Sequence, residues 1–272
     1  MDRAVEHIAA RILRAAALFV LGAAVAGASW QDDVLALSAG GFAPPPADLQ
    51  ARYVFGWSGI EAAAASVRLR LQPGAIWECT VRGGTSGFVR SLWKLDADYR
   101  ATVRQADWRS ITARLSEQYR HYRVDETFVF NQEGVRAWRE NTKPGADPGR
   151  WREFKAAGLR DMAAALLLAR SQPLEQGDTL SLAVFPGEGM YLVRVKVGNR
   201  EKLRWQQRER DTLRLSLEID VINKDGTTEP HRKFQRGTVW VSDDDIRLPL
   251  RVEVKVFVGY VFAELVDIDP GG

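Results

Sequence analysis

The chain has 272 residues, 46% hydrophobic and 27% charged, with 38 Lys and Arg against 35 Asp and Glu for a net charge of +3. This composition excludes a disordered chain, a multi-pass membrane protein and a small disulfide-stabilised protein, and the low net charge gives no electrostatic argument for nucleic acid as a partner. A single cysteine, Cys79, excludes an internal disulfide and a zinc site built on paired thiolates.

The N-terminal segment has the pattern of a secretory signal peptide. Arg3, Arg11 and Arg14 precede an uncharged apolar run over residues 15–28. The run is shorter than the roughly 20 residues that span a bilayer, and Ala26-Gly27-Ala28 gives a small-x-small cleavage pattern. We therefore predict a signal peptide over residues 1–28, export to the periplasm, and no requirement for membrane association after cleavage. The alternatives are a buried apolar helix and a retained anchor.

Residues 29–51 form a predicted linker before a single domain. Gly40-Gly41 and the triplet Pro44-Pro45-Pro46 favour an extended segment over packed structure. No second stretch of this kind follows, so residues 52–268 are predicted to fold as one β-rich domain. Cys79 lies in an apolar stretch and is expected to be a buried structural thiol.

Alternation of apolar and charged residues is the dominant pattern of this domain. It is typical of strands with one buried and one solvated face, which belong to antiparallel sheets. The apolar positions are Val67, Leu69 and Leu71; Tyr191, Val193, Val195 and Val197; Leu213, Leu215, Leu217, Ile219 and Val221; and Val252, Val254, Val256 and Val258. We predict a mainly β fold, either a large curved antiparallel sheet or a partly open β-barrel.

Turns and one helix complete the predicted architecture. Residues 131–134 and 223–226 have hairpin-turn composition, and Gly198-Asn199 is predicted to separate two strands. A helix covering the sheet is predicted over about residues 159–171, with Asp161 as its N-cap. Its apolar stripe has Met162, Leu166 and Ala169 on one side, with Ala163 and Leu167 beside them. The segment from Gly87 to Leu95 is ambiguous between helix and strand.

The search for catalytic and cofactor motifs gives negative results. His121 and His231 lie far apart and beside arginines, which is typical of solvated side chains. There is no HExxH motif, P-loop or dinucleotide fingerprint, and Gly84-Thr85-Ser86-Gly87 lacks the spacing of a nucleophile elbow. We predict no cofactor and no metal, and an enzymatic role is less expected than a non-enzymatic one.

Asp243-Asp244-Asp245 is the densest carboxylate cluster in the chain. Calcium takes several oxygen ligands, so a metal-binding loop is one interpretation. Consecutive residues of a turn cannot all point at one ion, and Asp favours turns because its side chain accepts hydrogen bonds from nearby backbone N–H groups. A structural turn is the favoured interpretation.

Three separate stretches resemble one bacterial family. They are residues 53–60 (YVFGWSGI), residues 161–178 with Asp161-Met162-Ala163 and Pro173-Leu174-Glu175-Gln176-Gly177-Asp178, and residues 239–250 (VWVSDDDIRLPL). Together they are similar to the domain-of-unknown-function family 3108 (DUF3108), over roughly residues 52–266. The resemblance implies an exported envelope protein, and the family has no established activity or catalytic residue to carry over.

The third stretch also supplies the candidate site. Trp240 is expected in a strand, the Asp cluster in a turn, and Arg247 at the start of the next strand, where it can pair with an Asp carboxylate and stabilise the turn. The alternative is that these residues line the rim of a cavity. The candidate binding residues are Trp240, Asp243, Asp244 and Arg247.

Three kinds of function remain open. The first is a non-enzymatic envelope protein whose curved sheet encloses an apolar groove for a lipid or an acyl chain. The second is an envelope hydrolase that uses carboxylates near Asp243–Asp245 or Asp161. The third is a structural module that binds another envelope protein through a sheet edge.

Overall fold

The computed structural model describes residues 29–147, 149–232, 234, 236–256 and 259–271. The predicted signal peptide, residues 1–28, lies outside the described residues. In the described part of the chain, fifteen strands belong to one sheet and three helices accompany it. The strands are β1 (Asp48–Trp57), β2 (Ile60–Gln72), β3 (Ile76–Thr85), β4 (Leu95–Arg104), β5 (Arg109–Tyr119), β6 (Arg123–Phe130), β7 (Gly134–Asn141), β8 (Arg150–Lys155), β9 (Thr179–Val184), β10 (Met190–Trp205), β11 (Arg208–Ile222), β12 (Thr228–Pro230), β13 (Arg236–Ser242), β14 (Pro249–Lys255) and β15 (Tyr260–Asp269). The helices are α1 (Trp30–Ala36), α2 (Gly87–Leu92) and α3 (Met162–Ser171).

The strand order is β8-β7-β6-β5-β4-β3-β2-β1-β15-β14-β13-β11-β10-β9, with β12 paired to β11 alone. Neighbouring strands in this order are antiparallel, as the alternating sequence predicts. Each half of the chain forms its own meander, and the pairing of β1 with β15 joins the two halves in the middle of the sheet. The connections between strands therefore lie alternately at one end and at the other end of the strands. We call these two rows of strand ends the two edges of the sheet, as distinct from its outermost strands β8 and β9.

The sheet curves until its two outermost strands approach each other. The ring of Phe154 in β8 lies 4.7 Å from that of Phe185, which directly follows β9. Between them runs Arg160, whose backbone N–H donates to the carbonyl of Ala183 at 2.9 Å and whose carbonyl accepts from Phe185 N–H at 2.8 Å. In the described residues β8 and β9 do not pair directly, so the sheet is large, curved and antiparallel without closing into a barrel. The predicted fold class is confirmed.

Helix α3 packs inside the curve of the sheet. Asp161 caps its N-terminus, with Oδ1 accepting from the N–H groups of Ala163 at 2.7 Å and Ala164 at 3.2 Å, as predicted. The predicted apolar stripe is only partly confirmed, because Ala163 and Leu167 are buried whereas Leu166 is 51% exposed. The buried positions lie on the neighbouring face, since the helix is enclosed by the sheet and most of its circumference meets apolar side chains; they are Ala163, Ala164, Ala165, Leu167, Leu168 and Ser171.

Local predictions have mixed outcomes. The turns at residues 131–134 and 223–226 join β6 to β7 and β11 to β12, as predicted. Gly198-Asn199 does not end a strand, because β10 continues through a register shift between Val197 and Arg200 and turns only after Trp205. A glycine inside a strand is typical of such a bulge as well as of a turn. The ambiguous segment from Gly87 divides into α2 and the start of β4 at Leu95.

Part of the predicted linker packs against the domain. Residues 30–36 form α1, whose Val34 is buried in the core, and β1 begins at Asp48. Between them, the N–H of Gly40 donates to Ser171 Oγ at 3.0 Å, and a β-carbon on Gly40 would lie 2.0 Å from the Ser171 carbonyl oxygen. The glycine is required because the segment crosses the end of α3 at backbone contact distance.

Different strand ends and turns lie at the two edges of the sheet. At one edge β1, β3, β5, β11 and β14 end; we name it the N-terminal edge because Trp30 Nε1, near the first described residue, donates to the carbonyl of Gly226 in the turn after β11 at 2.8 Å. The turns after β2, β4, β10 and β13 lie at the opposite edge. Two arginines that flank or end α3 contact loops at this opposite edge. Arg160, which precedes the N-cap, donates to the Trp108 carbonyl, and Arg170, in the last turn, donates to the Ile246 carbonyl.

Candidate functional site

The Asp cluster forms the turn between β13 and β14. Asp244 Oδ1 accepts hydrogen bonds from Ser242 Oγ at 2.7 Å and from the backbone N–H groups of Ile246 and Arg247, both at 3.0 Å. Asp243 Oδ2 lies 2.7 Å from Nε of Arg200 in β10. The carboxylates thus point to different partners, and among the described residues no group of His, Cys, Asp or Glu side chains is arranged to hold a metal ion.

The Arg247 guanidinium contacts α3 rather than a carboxylate. It donates to the carbonyls of Arg170 at 3.1 Å, Pro173 at 2.8 Å and Gln172, and lies 3.4 Å from the ring centroid of Phe42. The last carbonyls of a helix have no intrahelical partner and carry the negative end of its dipole, so they attract a cation. The predicted ion pair between Arg247 and an Asp carboxylate is therefore replaced by a contact with the end of α3.

Arg170 makes the reciprocal contact. From the last turn of α3 its guanidinium donates to the carbonyls of Ile246 and Asp245, both at 2.6 Å, and of Ala43. Burial, followed by the nearby positive charge of Arg247, lowers the pKa of Arg170 to about 10. We name Arg170 and Arg247 the arginine bracket. Arg170 binds backbone carbonyls of the turn that contains Arg247, and Arg247 binds backbone carbonyls at the end of the helix that contains Arg170.

The remaining predicted carboxylate and aromatic residues are also bound within the protein. Trp240 Nε1 donates to Glu201 Oε1 at 2.5 Å. Asp161 is 1% exposed, and its Oδ1 accepts from the hydroxyl of Tyr99 at 2.8 Å in addition to the helix N–H groups. Burial raises the pKa of the Asp161 carboxyl. Trp240, Asp243, Asp244 and Arg247 thus have structural contacts, and Asp161 lies out of reach of a substrate in solvent.

A different set of residues forms a groove on the outer face of β1–β4. The groove has a volume of about 350 Å³, and four arginines, one glutamate and three small polar or amide side chains line it: Gln50, Ser66, Arg68, Arg70, Glu78, Thr80, Arg82 and Arg100. Sequence reasoning missed this site. The available signal was the arginines on the polar faces of alternating strands, but alternation does not show which strands are neighbours.

Strand register places the arginines around Thr80. Arg68 in β2 and Arg100 in β4 are the cross-strand partners of Thr80 in β3. With strands about 4.8 Å apart, the two arginine Cα atoms lie about 10 Å from each other. A short side chain between two long ones leaves a concave surface, with Thr80 at its floor and guanidinium groups on both sides.

Carboxylates at the margin orient part of this charge. Arg68 donates to both carboxylate oxygens of Asp48, from Nε to Oδ1 at 2.7 Å and from Nη2 to Oδ2 at 2.5 Å, and this hydrogen bonding lowers the pKa of the Asp48 carboxyl. Arg82 Nε lies 2.7 Å from Asp98 Oδ2. Arg100 is held less tightly, at 3.9 Å from Glu78.

Arg100 also faces a like charge. Its cross-strand partner on the other side is Arg114 in β5. Like charges directly opposite each other destabilise an antiparallel pair, so this arrangement costs stability unless an anion lies nearby. Of the two arginines beside Thr80, Arg100 is therefore the one less tightly paired with a carboxylate.

Comparisons with known proteins give a family and a fold. Residues 52–266 match the profile of DUF3108, described as a protein of unknown function. A crystal structure of a beta-barrel-like protein of the domain of unknown function DUF1849 from Brucella abortus is similar, with a TM-score of 0.54 and 9% identity over 83% of this chain and 98% of that chain. A protein from Bacteroides fragilis, described as exported and as having a YmcC-like fold, gives a TM-score of 0.38 and 11% identity over 85% of this chain and 99% of that chain. No curated protein matches the sequence.

Proposed function

This chain belongs to the DUF3108 family of proteins of unknown function, and from that starting point we propose that it is an exported, non-enzymatic binding protein that holds an anionic group in its arginine groove. The observation that carries the proposal is the register of Arg68, Thr80 and Arg100 on the outer face of the sheet. Guanidinium groups bind phosphate, sulfate and carboxylate oxygens through paired hydrogen bonds, and the Thr80 and Ser66 hydroxyls add neutral donors.

The outer face is favoured over the interior as the place for a ligand. An enclosed small-molecule site takes a cavity of about 300 Å³ or more. The space inside the curved sheet contains α3 and a continuous cluster of buried side chains that includes Trp77, Phe128, Leu168 and Phe185. An apolar groove for a lipid or an acyl chain inside the sheet is correspondingly less well supported.

The hydrolase alternative has less support than binding. Catalysis by a carboxylate needs a group that can approach both substrate and water. Asp244 is occupied by the turn, Asp243 by Arg200, and Asp161 by the N-terminus of α3.

Export is supported by the N-terminal sequence, with its arginines, its short apolar run over residues 15–28 and its cleavage pattern before Ser29. Among the described residues, no helix has the length and apolar character needed to cross a membrane. We propose the periplasm as the compartment.

Titration calorimetry with inorganic pyrophosphate tests the anion site. Arg100→Gln is expected to weaken binding about tenfold, because it removes a charged hydrogen-bond donor. The matched control is Arg214→Gln, which removes an exposed arginine from an outward position of β11. Equal affinity of wild type and Arg100→Gln, or equal loss in the control, would contradict the proposal.

A further inference from the structure

Four large apolar side chains are exposed together at the N-terminal edge. They are Phe88, 76% exposed, Leu92, 68%, Ile60, 62%, and Trp57, 43%. Trp57 and Ile60 are cross-strand partners at the turn between β1 and β2, and Phe88 and Leu92 belong to α2, which follows β3. We name these four residues the apolar rim.

Helix α2 contributes apolar surface to solvent without contributing to the core. None of its six residues is buried, although Trp93 and Leu95, directly after it, are 7% and 0% exposed. The helix is held from the sides, where Ser86 N–H donates to the Ala62 carbonyl at 2.9 Å and Arg90 Nη1 lies 2.7 Å from Asp96 Oδ1. Its position is therefore fixed while Phe88 and Leu92 project outward.

Three cations lie at the same edge as the rim, where Glu61, next to Ile60, is an exposed carboxylate. Lys94 follows α2, Arg120 donates from the turn after β5 to the carbonyl of Ser91 at 2.8 Å, and Lys255 ends β14. Arg120 and Lys255 are exposed. Exposed aromatic and aliphatic side chains next to Lys and Arg are the combination that binds the interface of an anionic lipid bilayer.

The chain upstream of the domain joins at this edge. Trp30 is bound to Gly226 in the turn after β11, so the second residue after the apolar run of residues 15–28 lies at the N-terminal edge. The chain that precedes the described residues therefore connects to the domain at this edge rather than at the opposite one.

We propose that the apolar rim is a contact surface for a lipid bilayer with anionic headgroups, in which Phe88 and Leu92 enter the interfacial region. This contact is peripheral and uses none of the residues that line the arginine groove. The proposal is therefore independent of the proposed anion site. It differs from the expectation that the protein needs no membrane association after cleavage.

Site-specific fluorescence tests the contact in the full chain. The only native thiol, Cys79, is buried, and burial raises its pKa to about 12, so a newly introduced surface cysteine can be labelled selectively. Phe88→Cys carries a polarity-sensitive NBD group at the rim. Leu166→Cys is the matched control. Leu166 is likewise a large apolar side chain exposed to solvent, at 51%, but it lies on α3, whose last turn contacts the opposite edge.

Vesicles of phosphatidylcholine with phosphatidylglycerol are expected to raise and blue-shift NBD emission at position 88 and to leave position 166 unchanged. In unlabelled protein, Leu92→Ser is expected to weaken vesicle binding about tenfold, because an apolar side chain no longer leaves water. An unchanged spectrum at position 88 overturns the proposal. So does an equal change at both positions, which indicates non-specific adsorption, and so does a concentration-dependent shift without vesicles, which indicates that a second copy covers the rim.

Discussion

Replacing Arg247 with alanine removes one half of the arginine bracket and leaves the turn that carries it intact. Alanine retains a β-carbon, so the left-handed backbone of residue 247, with φ of 48°, has the same strain in both proteins. Asp244 still accepts from the backbone N–H of residue 247. The change therefore isolates the contacts of the guanidinium group.

The magnitude follows from those contacts. Three hydrogen bonds to carbonyls of residues 170, 172 and 173 are lost, together with the stacking of the cation on Phe42. A net contribution near 1 kcal/mol for each hydrogen bond, reduced for partial exposure, and about 0.5–1 kcal/mol for the cation–π contact give about 2–3 kcal/mol. For a domain of this size that corresponds to a decrease in Tm of about 4–12 °C.

Urea unfolding and thermal unfolding of matched variants measure the effect. Arg200→Ala is the control, because its pair with Asp243 is exposed and worth under about 1 kcal/mol. Arg247→Lys should recover only part of the loss, since one ammonium group cannot reach three carbonyls in different directions. The reasoning is refuted if Arg247→Ala costs no more than Arg200→Ala, or if Asp243→Asn costs as much as Arg247→Ala.

The other predictions concern the crossing segment, the helix cap and the thiol. Gly40→Ala should lower Tm through collision with the Ser171 carbonyl, whereas Gly41→Ala, whose β-carbon would have nothing within 4 Å, should not; equal effects would contradict the close crossing. Because burial raises the folded-state pKa of Asp161, its contribution to stability is fully present below the unfolded pKa and is lost as pH rises through the folded value. The stability of wild type relative to Asp161→Asn, measured by urea unfolding, should therefore fall from pH 3 towards neutrality, and a rise would show that the cap favours the carboxylate. Cys79, whose pKa is about 12, should resist alkylation at pH 8 in the native protein and react in urea; rapid native reaction would contradict its burial.

The strands of this fold could be predicted because the alternation of apolar and polar residues within each strand shows which of its residues are buried. Leu213 and Leu215 alternate with charged or polar neighbours, and both are buried. The N-cap Asp161 is likewise a local feature, since its partners are the N–H groups two and three residues later. Which face of α3 is buried could not be predicted from nearby residues, because the sheet that encloses Leu167 and Leu168 comes from elsewhere in the chain.

The sites depend on neighbours that alternation does not reveal. Arg68, Thr80 and Arg100 come together only through the pairing of β2, β3 and β4. Arg247 follows three aspartates within the same turn, so the sequence predicts a carboxylate as its partner. Its actual partners are carbonyls about 75 residues distant in sequence, and the backbone oxygens at a helix end leave no compositional trace.

The pairing of β1 with β15 has a consequence for the order in which the protein can fold. Residues 50 and 269 are register partners, so β1 cannot complete its pairing with β15 until residue 269 is available. Closing so long a loop is slow, while the hairpins on either side form from local contacts. A chain that emerges from a translocation channel N-terminus first would thus lack the pairing of β1 with β15 until β15 has emerged. The position of β15 thus makes late completion of the native state a property of the topology.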